Sequence, residues 1–468
     1  MDKDEAEELV HKKLDELGSQ ADGRQLAIAL DCMPLAITQA AAYIQEKEPR
    51  CSIQQYLEEL EQSRVSRTSL LRNKISVLDR DPEASNSIIL TWQISFEHVY
   101  STRKSAADLL SLMSFCDRLA IPESLIRADI EGADSASTVS DFEEDIVTLR
   151  NLSFISTTTN VETWEMHRLV QDATQLWLQD QGRLVEFFEQ FVHRLYVSFP
   201  IGRFENWAVC HTLFPHAKCV MDHKPTKKGA LLEWATVMHN SAWYALEQGS
   251  FTDAHTIGRC SMEVTQQQLG EGDETTLRSM SIVAEAYRMK GQWKGAEELE
   301  MKVMETRRTV LGAEHPDTLT SMANLASTFW NQGRWKEAEE LFVKVVETSR
   351  TVLGAEHPDT LSSMANLAST FWNQGRWKEA EELEVKVMET RRTLLGVEHP
   401  STLSSMANLA STFWKQGRWK EAEELQVKVM ETSRTALGAD HPDTLTSMAN
   451  LASTFWKQGR WKEAEELQ

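Results

Sequence analysis

From about residue 235 onward the apolar positions follow a helical rhythm that repeats. Leu319, Met322, Leu325, Ala326 and Phe329 stand three or four residues apart, the spacing of a helix's inward stripe. After Gly333 comes a second stripe of Trp335, Ala338, Leu341, Phe342 and Val345. The two stripes predict a helix A over 317–332 facing a helix B over 335–353. Gly333 is the expected left-handed stop between them. Pro316 opens helix A where its missing N–H does no harm, and Asp317 or Thr318 is expected to cap or charge-stabilise that end. Ala326 and Ala338 are small where the helices must approach closely. The arrangement then returns: Trp293, Trp335, Trp377, Trp419 and Trp461 recur at a constant step of 42 residues. A fixed step of this size marks stacked repeats, each packing only on its neighbours. Boundaries near 235, 275, 317, 359, 401 and 443 give about five and a half units, the last stopping within its second helix.

The first half shows helical patterning without a repeat. Leu9, Val10, Leu14 and Leu17 predict a helix over 5–17, stopped at Gly18. Leu26, Ile28 and Leu30 predict a second, and Pro34 forces a kink or a fresh helix start. Ser52 is placed to cap a helix over 53–61. Residues 63–86 read as a connector. Helical periodicity resumes over 88–99, 106–116 and 141–152. Residues 153–158 and 162–166, β-branched and flanking Asn160, predict a hairpin, followed by a helix over 167–178. Three helices, a hairpin and a helix is the order of a winged-helix module. Residues 183–221 predict two helices broken at 200–203. The expected plan is a helical domain (1–62), the connector (63–86), a winged-helix-like domain (87–182), a helical adaptor (183–228) and the repeat array (235–468). The fold class is mainly α, with the array as an α-solenoid.

A chain of 468 residues is long enough for two or three domains. Its net charge of −22 disfavours phosphate backbones, and the winged-helix region shows no basic recognition surface, so no nucleic-acid partner is expected. The six cysteines form no Cys-x-x-Cys pair, which fits reduced thiols in the cytoplasm. No run of about 18 apolar residues predicts a membrane span, and the acidic start is not that of a signal peptide. His315, His357, His399 and His441 recur one per linker. A metal needs several ligands around one point, so a capping role is expected and no metal site.

Leu325-Ala326, Phe329, Gly333, Trp335 and Ala338 together resemble the tetratricopeptide repeat. The linker Leu353-Gly354-Ala355-Glu356-His357-Pro358-Asp359-Thr360 resembles the kinesin light-chain-like subclass. The resemblance implies a superhelix of repeat helix pairs whose A helices line a concave groove for a protein or peptide partner. Asn324, Asn366, Asn408 and Asn450 recur on helix A, with Asn240 at the same place in the first unit. An amide there can both donate to and accept from an extended peptide backbone, or it can bridge adjacent helices. Trp330, Trp372, Trp414 and Trp456 recur near the same face, as peptide anchors or, the preferred reading, as packing between A helices. Asn331, Asn373, Lys415 and Lys457 vary at one position, where variation would alter ligand preference without altering the fold. The incomplete last repeat offers an apolar face for self-association.

Cys32-Met33-Pro34-Leu35-Ala36 resembles the Gly-Leu-Pro-Leu-Ala motif of nucleotide-binding switch ATPases of the immune-receptor (NB-ARC, NLR-like) type. Trp164-Glu165-Met166-His167-Arg168-Leu169-Val170 resembles their Met-His-Asp motif, and the layout resembles the fungal members of that class. The resemblance implies that Pro34 contacts the adenine and His167 a phosphate of bound ADP. Cys32 replaces the motif's glycine and Arg168 its aspartate. No Gly-x-x-x-x-Gly-Lys-Ser/Thr loop is present to wrap phosphates and hold magnesium. The expectation is a non-enzymatic interaction protein without a cofactor, binding ADP only if a phosphate-loop half is supplied elsewhere. The alternatives are an ADP-binding switch and a kinesin light-chain-like cargo adaptor. The missing heptads before the repeats argue against the adaptor.

Overall fold

The computed structural model describes residues 1–14, 20–67, 82–127, 135–158, 162–438 and 442–467. Gly18, most of the 63–86 connector, Asn160 and His441 lie outside the described residues. Two compact units divide at Gln248 and Gly249.

In the first unit, α1 (Lys3–Leu14) buries Ala6, Val10 and Leu14 against α2 (Gln20–Ala29) and α3 (Pro34–Glu46). The helix break predicted at Pro34 is a fresh start: Asp31 and Cys32 take left-handed φ angles of 52° and 54°, and Pro34 begins α3. Ser52 caps α4 (Ile53–Arg67) reciprocally. Its Oγ accepts from the Gln55 N–H at 3.2 Å, while Gln55 Oε1 accepts from the Ser52 N–H at 2.8 Å.

There follow α5 (Pro82–Thr102), α6 (Lys104–Met113), β1 (Ile121–Pro122), α7 (Glu123–Ile126), α8 (Ser135–Asn151), β2 (Ile155–Thr157), β3 (Thr163–Met166) and α9 (Arg168–Asp180). The predicted hairpin pairs Ile155 with Met166 and Thr157 with Trp164. A third strand, absent from the sequence reading, completes the order β1-β3-β2. At two residues, β1 is too short to show alternation. Trp92 stacks on Phe96 within α5 at a ring separation of 4.7 Å, and Phe96 meets Trp177 of α9 edge to face at 4.8 Å. Helices α10 (Leu184–Ser198) and α11 (Trp207–Cys219) break where expected, and α12 (Lys228–Glu247) closes the unit.

The second unit begins with α13 (Phe251–Leu269) and continues as A/B pairs: α14 (Glu274–Met289) with α15 (Trp293–Val310), α16 (Pro316–Asn331) with α17 (Trp335–Val352), and α18 (Pro358–Asn373) with α19 (Trp377–Leu395). The last pairs are α20 (Pro400–Lys415) with α21 (Trp419–Leu437), and α22 (Pro442–Lys457) with α23 (Trp461–Glu466). From α13 to α23 each helix packs on its neighbour in sequence. Leu325, Ala326, Phe329, Ala338 and Phe342 join Leu361, Met364, Leu367 and Phe371 in one buried cluster, so the core runs unbroken across the repeat boundary. Gly333 closes helix A at φ 77°, and the Arg334 N–H returns to the Phe329 carbonyl at 2.9 Å.

Two sequence expectations are corrected in these pairs. Trp335 is 38% exposed rather than part of the buried stripe. It heads helix B beside Arg334, whose guanidinium covers the Phe329 ring at 4.0 Å and takes the place expected for the indole. Asp317 stands in the first turn of α16, where its charge is favourable, but the A-helix cap is neither Asp317 nor Thr318. It is His315, whose Nδ1 accepts from the Asp317 N–H at 3.2 Å. His357 and His399 do the same for Asp359 and Ser401, at 3.2 and 3.1 Å. Thr318 instead donates to the Gly312 carbonyl at 2.9 Å.

Candidate functional site: one face of the repeat array

On each A helix the asparagine and the variable position, Asn324 and Asn331 in the first case, are seven residues apart, about two turns along the same side. Asn366 and Asn408 are exposed, and Asn324 and Asn450 half-buried. Asn450 lines a pocket of about 180 Å³ with Trp372, Trp414, Lys415 and Gln426, which places asparagine, tryptophan and the variable position together. Asn240 does not belong with them. It lies in the first unit, buried, and donates to the Phe199 carbonyl at 3.0 Å.

Trp330, Trp372 and Trp414 are half-buried, each with its Nε1 buried and without a hydrogen-bond partner. Trp330 and Trp372 pack against the cluster that crosses the repeat boundary. Trp456 is 55% exposed. The variable position decides what meets these indoles. Lys415 holds its ammonium 4.8 Å from the Trp372 ring and 5.6 Å from that of Trp414. Lys457 sits likewise over Trp414 and Trp456, at 5.6 and 5.8 Å. Asn331 and Asn373 turn back instead, donating to the carbonyls of Ser327 and Ser369 at 2.8 and 2.9 Å.

Helix B contributes a position that sequence reading missed. Glu300, Phe342, Glu384 and Gln426 occupy it in successive repeats, each buried. Phe342 is the ordinary core occupant. Gln426 accepts from the Thr454 hydroxyl at 2.6 Å. Glu300 and Glu384 each leave Oε2 buried without a hydrogen-bond partner. Burial pushes both carboxyls up to about 7, opposed by threonines on the next A helix, Thr328 and Thr412. Arg288 also opposes the rise at Glu300, whereas the other charge acting on Glu384 is Glu381. The signal was legible as a charge every second unit at a position four residues after the invariant Ala296, Ala338, Ala380 and Ala422.

A further recurring set clasps consecutive repeats. Arg334 Nη1 meets Glu297 Oε1 of the preceding repeat at 2.9 Å and its Nε meets Glu337 at 2.6 Å, while Gln332 Nε2 reaches Glu297 Oε2 at 2.7 Å. Arg376, Arg418 and Arg460 repeat the link to Glu339, Glu381 and Glu423 at 2.7, 2.7 and 2.6 Å.

In the first unit, both residues of the nucleotide-contact resemblance start helices. Pro34 is the first residue of α3. His167 caps α9, its Nδ1 accepting from the Leu169 N–H at 3.2 Å, and burial lowers its pKa. Among the described residues no helix is long and apolar enough to cross a membrane.

Residues 275–351, 322–393, 372–434 and 401–468 match the tetratricopeptide repeat family, and residues 98–183 match a domain of unknown function (DUF7779). A nucleotide-binding leucine-rich repeat (NLR)-like protein of the fungus Hyaloscypha variabilis is 34% identical over 267 residues, 56% of this chain. The match spans 26% of that relative's length. Among solved structures, nearly identical TPR-like repeats from Podosopora anserina, named for kinesin light chain, are 30% identical. They cover 43% of this chain and 95% of their own, with a TM-score of 0.38. A signal-transduction ATPase with numerous domains and a tetratricopeptide repeat sensor, from Pyrococcus horikoshii, is 12% identical, with coverage of 100% and 71% and a TM-score of 0.42. Residues 275–468 are therefore an array of tetratricopeptide repeats, a protein-interaction scaffold.

Proposed function

We propose that the asparagine-bearing face of the array holds an extended peptide segment of a partner protein, and that the chain works as a recognition part of an NLR-like switch rather than as an enzyme. The observation that carries this is the shared pocket of Asn450, Trp372, Trp414 and Lys415, which joins amide, aromatic and cation on one surface. Asn366 and Asn408 stand exposed at the equivalent places, with amides free to meet a peptide backbone. The Hyaloscypha relative carries the nucleotide-binding NLR-like name. In an intact parent, capture of the partner would release the switch. ADP enters this reading only with a phosphate-binding half supplied elsewhere, and Pro34 and His167 serve their helix starts meanwhile.

The test is capture of candidate partners by the full chain and by Asn366→Ala/Asn408→Ala. The double variant should lose capture and keep its melting temperature. Equal capture by both would remove the groove assignment. Calorimetric titration with ADP addresses the switch reading, which predicts binding heat from this chain; a folded sample giving none leaves the scaffold reading alone.

A further inference from the structure

Four successive repeats fill the position of Glu300, Phe342, Glu384 and Gln426 in different ways. Phe342 fills the site with an apolar ring, 1% exposed. Gln426 is neutral, bonded to Thr454, and its pocket already contains the ammonium of Lys415 between Trp372 and Trp414. Glu300 has Arg288 within its electrostatic reach. Glu384 is 5% exposed, with Thr412 of the next A helix opposing the rise of its carboxyl and the neighbouring carboxylate of Glu381 adding to it.

The 42-residue register carries the residues around Gln426 back one repeat, onto Trp330, Ser369, Trp372, Asn373, Glu384, Asn408 and Ser411. Two changes distinguish the earlier copy. Glutamate replaces glutamine at the floor. Asparagine replaces lysine at the variable position, and Asn373 is tied back to Ser369, so among the described residues no ammonium lies over Trp330. The site keeps an aromatic pair and gains a carboxyl; Trp372 carries Lys415 at 4.8 Å, and Trp330 is the ring left without an ammonium among the described residues.

We infer that the slot formed by Trp330, Trp372 and Glu384 receives a basic side chain, lysine or arginine, of the bound peptide. Lys415 shows, one repeat on, how a cation seats against two such indoles, Trp372 and Trp414. A guanidinium or ammonium over an indole face is held by the ring quadrupole, and the more firmly where water is excluded. A carboxyl beneath it gives the cation the charged partner that a buried site requires. The chain's net charge of −22 adds a long-range pull on basic segments. This inference rests on the peptide-groove reading and names the chemistry of one subsite within it.

The probe is a blocked alanine-serine nonapeptide with one central arginine, compared with the same peptide carrying neutral, nearly isosteric citrulline. Binding to the full chain is read from the tryptophan indole N–H signals by NMR, which registers weak as well as tight complexes. The arginine peptide should bind at least tenfold more tightly than the citrulline peptide, and shift the indole signals of Trp330 and Trp372. Glu384→Gln should erase that preference. Asn373→Lys, which places in the slot the residue its neighbour already carries, should exclude the arginine peptide while the chain remains folded. Equal binding of both peptides, or a preference that survives Glu384→Gln and Asn373→Lys, would overturn the subsite and leave the groove standing. Failure of both peptides to perturb any indole on this face would overturn the subsite and the groove together.

Discussion

The guanidinium of Arg376 reaches across a repeat boundary to the carboxylate of Glu339, Nη1 to Oε1 at 2.7 Å, while the same group covers the Phe371 ring at 4.1 Å. Gln374 closes the link by donating to Glu339 Oε2 at 2.8 Å. One side chain thus ties its own A/B turn to the preceding B helix. Arg376 is 38% exposed and Glu339 25% exposed, so solvent screens the pair, and isolated pairs of this kind contribute about 0.2–1 kcal/mol. A double-mutant cycle of Arg376→Ala and Glu339→Gln should give a coupling near the upper end, about 1 kcal/mol, because the ring and the amide hold the guanidinium in place. The coupling should shrink in high salt. A coupling of zero at low salt would mean the clasp is geometry without energy.

The linker histidines make a second energetic claim. His357 Nδ1 accepts from the Asp359 N–H, satisfying a donor that the start of α18 would otherwise leave to water. His357→Ala should cost about 1 kcal/mol in urea unfolding, and His357→Asp, which restores an acceptor at the same place, should recover most of it. An unchanged midpoint in the alanine variant would remove the cap.

What the sequence showed and what it hid divide along physical lines. The helix pairs were legible because Leu325, Ala326, Phe329 and Ala338 repeat without drift, and because Gly333 and Pro316 punctuate them. Ser52 and Pro34 were legible because capping and ring closure are local chemistry. Trp335 misled because a helix period says which side a residue faces, not that Arg334 would occupy the space over Phe329 first. His315 was seen as a cap, but its acceptor role displaced Asp317 and Thr318 only once backbone geometry was fixed. Strand β1 was invisible, since two residues carry no period. The arginine clasp and the Glu384 slot each join residues from different repeats, and a pattern read within one unit does not display them.

Packing between the paired helices is tested at Ala380, which is fully buried where α18 and α19 approach. Ala380→Trp forces an indole into that contact and should cost about 1–3 kcal/mol or more. Calorimetry is the direct readout, and an unchanged melt would contradict the close approach.

The last prediction concerns the acid at the floor of the slot. Burial holds the Glu384 carboxyl up at about 7, against an ordinary value of 4.5 in the unfolded chain. Below about pH 4.5 both states carry the proton, and the group does not disfavour folding. As pH rises the unfolded chain releases its proton first, so stability falls across the window from about 4.5 to about 7 and levels off once the folded state has also ionised. With 1.36 kcal/mol per pKa unit, the loss amounts to about 3 kcal/mol at most. Glu384→Gln, neutral at every pH and already present in the next repeat as Gln426, should remove this part of the slope. Urea unfolding should therefore place variant and parent close together at pH 4.5 and the variant about 2–3 kcal/mol above the parent at pH 8. A difference that is the same at both pH values would show that the Glu384 carboxyl ionises normally in the folded array. Glu300, raised by the same burial, stays in both proteins and cancels from the comparison.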